Sequence, residues 1–419
     1  MSRFTASFRS VRLALVAPLL FAAAGGCQFV PPLTSAPAPA PQAADSTPGP
    51  APASQAQPSI EPVSRGDLEA SIDRGVAFLV ASQNRDGSWG SATRTKGLNI
   101  YAPIPGAHHA FRAATTALCI SALIETGADS SDALEALERG EQWLLKELPE
   151  VRRAEMTAIY NTWAHAYGIS ALARMYDRNP RDTARREQIR KLVAQQIDLL
   201  ARYEFVGGGW GYYDFDHHLS QPGGAANSFT TATVLIAFDD ARHIGVEVPA
   251  KLAQRGVRQV QRQRKPDFTY LYSANFNFYT MRSINQPGGS LGRTQACNAA
   301  LRAWDDEAVT DEVVAEWLQR LFDRNGWLDM GRKRPVPHES YFAVAGYFFY
   351  YGHYYGAMCI DLLPPDQRPH FQSLMARTIT ALQEKDGSWW DYPLYDYHQP
   401  YGTSFALMTL TRCRATEAE

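Results

Sequence analysis

Residues 214–218 read DFDHH, two carboxylates and two imidazoles in a row of five. A histidine beside a carboxylate can take up or release a proton near neutral pH. Asp214, Asp216 and His217 are therefore a candidate acid–base group, and a solvated polar loop is the competing reading of the same residues. Asn161 and His165 stand four apart and share a face if that segment is helical. They are candidate ligand contacts, with inward polar packing as the alternative. Tyr350 and Tyr354 lie in YFAVAGYFFYYGHYYGAM, a run dense in tyrosine and phenylalanine. As core it is unusually rich in tyrosine; as a cavity wall it suits a sugar ring or a flat apolar ligand. His398 completes the candidate binding residues.

These groups need elements to position them. Six segments carry apolar residues at three-four spacing among charges, from GDLEASIDRGVAFLVASQ near residue 66 to FQSLMARTITALQ near residue 371. Each is followed by a second segment that is small, apolar and poor in charge, such as TTALCISALIETG, TTATVLIAFDDAR and TSFALMTLTRC. A helix apolar nearly all round is buried on most sides, whereas the more polar set belongs outside. Six outer helices alternating with six inner ones predict an all-α (α/α)6 toroid, with the inner helices in a ring. The loops entering the inner helices then share one rim. That rim gathers His108, His109, Asp214, Asp216, His217, His338, Glu339, Asp391, Asp396 and His398.

Between outer and inner segments the chain repeats a phrase. Residues 83–90 read QNRDGSWG and residues 383–389 read QEKDGSW. Gly87 and Gly387 suit a chain reversal after a helix. Asp86 and Asp386 favour a turn through side-chain to backbone bonds. Trp89 and Trp389 can pack on a neighbouring helix, and Gln83 and Gln383 can satisfy free groups near the helix end. Trp210 and Trp327 mark two further copies, and DFTYLYS at 267–273 a weaker one. These residues are expected to be structural. Closure of the ring would make the first and last repeats neighbours, which accounts for their holding the best copies.

The QNRDGSWG and QEKDGSWW segments resemble the Gln-Trp repeats of the terpenoid cyclases, of the squalene-hopene cyclase kind, and of the protein prenyltransferase toroid. The resemblance spans residues 66–413 and implies the fold more than an activity. Cyclases of that group carry an Asp-x-Asp-Asp acid; here only Asp214-Phe215-Asp216-His217 approaches it. The zinc ligands of the prenyltransferases have no counterpart: no Asp-x-Cys occurs, and His398 lies before the last inner helix rather than in it. No metal and no cofactor is expected. Toroidal polysaccharide lyases use Asn, His, Tyr and Arg around a uronate, which gives Asn161 and His165 a second reading.

The N-terminus carries Arg3, Arg9 and Arg12, then LALVAPLLFAAA, then AGGC ending at Cys27. This resembles a bacterial lipoprotein signal, which implies lipidation of Cys27, export and anchoring in an outer membrane or at the cell surface. Cleavage after Ala24, leaving a periplasmic or secreted protein, is the alternative. Residues 28–65 are rich in Pro and Ala and predict an extended tether, residues 66–413 the toroid, and residues 414–419 a short tail. A net charge of −2 lacks the basic footprint of a nucleic-acid binder. Cys119, Cys297, Cys359 and Cys413 show no paired spacing and are expected as buried thiols. The chain is thus expected to be a membrane-anchored module for a hydrophobic, glycan or protein ligand. An enzyme acting on an isoprenoid-like substrate through Asp214–His218, and a polysaccharide lyase or hydrolase, are the alternatives.

Overall fold

The computed structural model describes residues 62–96, 102, 105–216 and 221–414. The leader, Cys27, nearly all of the tether, His217 and the last five residues lie outside them. Residues 59–419 belong to one compact unit. The outer helices are α1 (Arg65–Ala81), α3 (Ser131–Glu147), α5 (Thr183–Arg202), α7 (Ala250–Gln263), α9 (Asp311–Asp323) and α12 (Arg368–Thr380). The inner helices are α2 (Gly106–Thr126), α4 (Asn161–Arg178), α6 (Ser228–His243), α8 (Pro287–Ala303), α11 (Phe348–Leu362) and α13 (His398–Thr411). A short α10 (Asn325–Asp329) falls between α9 and α11. Each inner helix packs on the next, and α13 packs on α2, so the ring closes. Among the described residues there is no strand, only isolated bridges.

Local chemistry sets the helix limits. Ser64, Ser130, Asp182 and Thr310 cap α1, α3, α5 and α9 by accepting a backbone N–H from the first turn. The inner helices bury residues on all sides; in α8 every residue from Gly288 to Leu301 is buried, Arg293 included. Arg293 is satisfied by carbonyl groups of Tyr270, Gly289 and Ile284.

The repeated phrase folds into the same clasp four times. In the first, Asn84 N–H donates to Ser88 O (2.8 Å) and Gly87 N–H to Asn84 O (3.0 Å). Asp86 accepts from the backbone and hydroxyl of Ser88, at 3.1 and 2.6 Å. Glu384–Ser388, Lys265–Thr269 and Phe205–Gly209 close in the same way. Gly87, Gly208 and Gly387 occupy the left-handed position at φ 91°, 87° and 88°, and Phe268 takes it at 59° in the fourth. A non-glycine residue there costs on the order of 1 kcal/mol.

Each clasp tryptophan is held three ways. Its indole N–H donates to the carbonyl ten residues earlier: Trp89 to Leu79 (2.7 Å), Trp210 to Leu200 (2.8 Å), Trp389 to Ile379 (2.9 Å). Its backbone N–H donates to a threonine of the following inner helix: Thr116, Thr231 or Thr403. Its ring lies against a glycine of the next outer helix, where a Cβ would stand 2.7–3.0 Å from Cζ3: Gly140, Gly256 and Gly75 respectively. An arginine precedes each of those glycines. Arg139 and Arg74 bond the Oε1 of Gln83 and Gln383, while Arg255 pairs with Glu204. The clasp glutamines therefore reach across to the next repeat as well as back to their own turn. Gln383 joins the last outer helix to the first, since its amide donates to Ser71 O at 2.9 Å.

Trp327 is not a clasp residue. It sits in α10, half-buried, with its ring 4.9 Å from Phe342. The fourth clasp uses Tyr270 instead, whose N–H donates to Ser290 of α8. There the next outer helix supplies the tryptophan: Trp317 donates its indole N–H to Asp267 O at 3.1 Å.

Candidate functional site

The inner ring is hollow at the end where its helices begin. A cavity of about 140 Å³ opens there. Tyr160, Tyr212, Tyr347, Leu394 and Tyr401, from the loops or first turns of inner helices, form its upper wall. Phe111, Trp163, Phe229, Phe348 and Phe405 line it below. Among the described residues no charged side chain lines it. Tyr351 and Tyr355 close the floor through Thr233, whose hydroxyl lies 3.0 Å from Tyr351 and 3.2 Å from Tyr355. Beyond the floor, at the opposite end, Glu125 is held between Arg174 and Arg412. Their two guanidinium groups hold its carboxyl below the usual range although burial opposes this.

Two polar devices stand behind the upper wall. The first is Asp391, wholly buried on the loop entering α13. Its Oδ2 accepts the Tyr350 N–H at 3.0 Å. Its Oδ1 lies 3.0 Å from the Tyr401 hydroxyl, which also lies 3.0 Å from the carbonyl of Tyr347. One phenolic proton cannot serve both acceptors fully. A protonated Asp391 resolves this: it donates to the Tyr401 oxygen, and Tyr401 donates to Tyr347 O. Burial without a cation in contact pushes the Asp391 carboxyl up to about 7. Asp391 is thus an acid that keeps its proton up to about pH 7 and meets the cavity through one tyrosine.

The second device is His338. Its Nδ1 lies 2.7 Å from Ala343 O, so Nδ1 carries the proton and Nε2 accepts from the Tyr347 hydroxyl at 3.2 Å. Burial lowers the His338 pKa and keeps the ring a neutral acceptor. Tyr347 also stands 3.5 Å from the Tyr272 hydroxyl, which bonds Tyr212 in turn. An acid and a base therefore reach the same wall through neighbouring tyrosines.

The residues singled out from sequence lie largely elsewhere. Asp214 is fully buried and is a loop anchor: Oδ1 accepts the backbone N–H groups of Asp216, Gly223 and Gly224, each at 3.2 Å, and Oδ2 pairs with Arg153 at 2.8 Å. With its oxygens so occupied it is not available as the acid of the expected group. Asp216 points to solvent, and His217 is outside the described residues. Asn161 and His165 do share a face, but it turns outward. His165 Nδ1 lies 2.7 Å from Gln196 of α5 and Nε2 lies 3.3 Å from Asn161. Burial lowers His165 to about 4, so it is a neutral, enclosed ring closed to a substrate. Tyr350 contributes its N–H to Asp391 but not its ring to the cavity, and Tyr354 lies in the charged layer, 3.4 Å from Arg174. His398 is the first residue of α13 rather than preceding that helix as expected; it bonds Tyr395 O at 2.7 Å and abuts Trp390 on the rim. His108 and His353 are held by Tyr397 and by Phe349 and Asn325.

Among the described residues no cluster of three His, Cys, Asp or Glu is placed to hold a metal ion. The four described cysteines are buried free thiols, with Cys297 and Cys359 pushed up to about 12 by burial.

No family profile matches the chain, and no curated protein does. Similar solved structures exist. A possible member of the GH105 family from Klebsiella pneumoniae aligns at a TM-score of 0.50 and 13% identity, covering 85% of this chain and 94% of that one. The apo type II terpene cyclase MstE from Scytonema aligns at 0.47 and 14%, covering 83% and 98%. The GH76A α-1,6-mannanase from Salegentibacter aligns at 0.49 and 10%, covering 83% and 99%. The first of these agrees with the closed ring in giving the α/α-toroid fold, and at such identity the likeness is one of fold alone.

Proposed function

We propose that this protein binds a small apolar molecule, or the apolar end of a larger one, in the aromatic cavity at the mouth of its inner ring. The observation that carries the reading is the lining itself, aromatic and aliphatic around about 140 Å³ apart from Thr115, with polar atoms supplied by hydroxyl groups and by no charged side chain among the described residues. A dry apolar cavity of about 150 Å³ accepts a ligand the size of benzene. One ring or one branched five-carbon unit fits here, with the rest of a longer molecule left at the mouth. A glycan is disfavoured, because most of its hydroxyls would lose water without gaining a partner. The test is native mass spectrometry of the full chain purified from its own host. A retained apolar mass, lost in the cavity-filling variant Ala114→Phe, supports the reading. A parent and variant that both come off bare would overturn it.

A second reading rests on the Asp391–Tyr401 contact. A neutral carboxylic acid joined to the cavity by one hydroxyl can give a proton to an unsaturated ligand, and Tyr347 with His338 can receive one from a neighbouring carbon. The ligand would then be a substrate, isomerised or cyclised with no net change in protons. Asp391→Asn keeps the shape and removes the proton, so it should abolish turnover while ligand is still retained. Turnover that survives the substitution would refute the role of Asp391.

The N-terminal segment supports export and lipid anchoring at Cys27. Incorporation of a labelled fatty acid, lost on Cys27→Ala, tests that placement, and incorporation that persists in the variant would refute it.

A further inference from the structure

The hydroxyl groups around the cavity are not equally free to meet a ligand. Tyr160 bonds the Tyr213 hydroxyl at 2.5 Å. Tyr401 lies between Asp391 and the carbonyl of Tyr347, and the phenols of the floor are tied through Thr233. Tyr212 and Tyr347 both line the cavity, and both bond Tyr272, which does not. Three phenols and one imidazole therefore stand in a row, Tyr212, Tyr272, Tyr347 and His338, with Tyr212 at its open end.

The row has a direction. His338 holds its proton on Nδ1 against Ala343 O at 2.7 Å, so its Nε2 accepts and Tyr347 donates to it across 3.2 Å. That uses the Tyr347 proton. The 3.5 Å contact between Tyr272 and Tyr347 then takes the Tyr272 proton, and the close contact between Tyr212 and Tyr272 takes that of Tyr212. No other arrangement puts a proton in all three contacts. It leaves the Tyr212 oxygen at the cavity wall with lone pairs and no proton to offer, so the wall suits a ligand that donates.

A second feature selects the kind of donor. Arg293 is wholly buried behind this wall, its guanidinium 5.7 Å from the centre of the Tyr272 ring. Its hydrogen bonds go to the carbonyls of Tyr270, Gly289 and Ile284, and among the described residues no carboxylate pairs with it. A buried cation without an anion beside it favours negative charge on nearby oxygen atoms. A row that ends on a basic nitrogen does the same, because its bonds polarise one another and gain when the first donor is acidic.

We propose that the cavity binds a phenol, its ring among the aromatic side chains and its hydroxyl donating to Tyr212. The inference rests on the cavity reading above and is independent of proton transfer from Asp391. An apolar ring matches the lining, and one acidic hydroxyl matches the one open acceptor and the cation behind it.

Calorimetric titration of the full chain with phenol and toluene, which have nearly the same shape, tests this. A dry apolar cavity prefers toluene, because phenol leaves hydrogen bonds to water behind. Here phenol should bind at least as tightly. Tyr212→Phe, at a melting temperature near the parent's, should shift the ratio about tenfold towards toluene, the scale of one hydrogen bond. Anisole, which accepts but cannot donate, should bind no tighter than ethylbenzene. The more acidic 3,5-difluorophenol should bind several-fold tighter than phenol, and Arg293→Gln should narrow that gap; where this variant does not fold, the parent's own series decides. A parent that prefers toluene, or a ratio unmoved by Tyr212→Phe, would overturn the phenol and leave the cavity reading standing. Anisole bound tighter than ethylbenzene would overturn the direction of the row. Equal affinity for phenol and its difluoro derivative would overturn the part given to Arg293. Titrations in which no aromatic compound binds would overturn the cavity reading as well.

Discussion

Replacing Asp391 by asparagine should stabilise the protein at alkaline pH and leave it nearly unchanged at acid pH. The geometry gives the reason. In the folded chain the carboxyl is wholly buried, its only close partners are the Tyr350 N–H and the Tyr401 hydroxyl, and its pKa rises from 3.8 to about 7. The folded state therefore keeps a proton that the unfolded chain gives up above pH 4. Stability from this group is greatest below the unfolded pKa, declines as pH rises between about 4 and 7, and is flat above the folded value. A difference of about 3 pKa units corresponds to roughly 4 kcal/mol, an upper bound because relaxation and water entry lower it. Asparagine copies the protonated acid: its oxygen can accept from Tyr350 and its amide can donate to Tyr401.

The assay is the melting temperature of parent and variant at pH 5 and pH 8.5. For a domain of this size 1 kcal/mol moves the midpoint by about 2 °C. About two of those three units are crossed between pH 5 and the folded value, roughly 2.7 kcal/mol, so the variant should gain on the parent by up to about 5 °C more at the higher pH. An offset that is the same at both values would mean that Asp391 titrates alike in folded and unfolded chains, which would remove the basis for a neutral acid at the cavity wall. An offset of opposite sign would mean that the carboxylate is stabilised by a cation, with Arg332 as the nearest source.

Three further outcomes follow from the packing. Gly75→Ala places a Cβ 2.7 Å from Trp389 and 2.8 Å from Leu407 across the seam between last and first repeats; it should cost about 1–3 kcal/mol in denaturant unfolding, and Trp389→Phe in the same chain should restore part of that, whereas additive losses would refute the contact. His353 is buried neutral between Phe349 O and Asn325 with its pKa lowered to about 4, so stability is fully present above pH 6.5 and is lost as pH falls towards 4; His353→Gln should flatten that acid limb in a pH series of melting curves, and an unchanged slope would show the ring to be solvated. Asp214→Ala unties three backbone N–H groups and strands Arg153, and should lower stability by about 3 kcal/mol while ligand retention persists in native mass spectrometry; loss of ligand with an intact fold would return Asp214 to the site.

The architecture was legible because it is written locally and repeated. Helical spacing separates polar outer helices from apolar inner ones, and Asp-Gly-Ser-Trp encodes a turn that needs nothing from outside. What sequence reasoning missed in the repeat is its other half. Arg-Gly recurs at 74–75, 139–140 and 255–256, one pair in each outer helix that receives a clasp tryptophan, and a threonine opens the matching inner segments. Both signals were there to be counted. Trp327 shares the Gly-Trp pair with the clasps but lacks the threonine after it, which receives the backbone N–H of Trp89, Trp210 and Trp389.

The candidate site was less legible, and the reason is physical. Asp214 and Asp391 are both aspartates on rim loops, and by composition Asp214, with its acidic and histidine neighbours, is the more inviting. Their fates are decided by partners far along the chain. Asp214 meets Arg153 and three backbone donors and becomes a loop anchor. Asp391 meets Tyr350, Tyr401 and no cation, and becomes an acid with a proton to keep. A motif search rewards clustered charge, but clustered charge near backbone donors is neutralised locally and tends to be structural. A lone carboxylate among tyrosines has nothing local to settle its charge, so its chemistry depends on the ring closing around it. In this toroid the residue best placed to do chemistry is therefore the one whose sequence neighbourhood advertises it least.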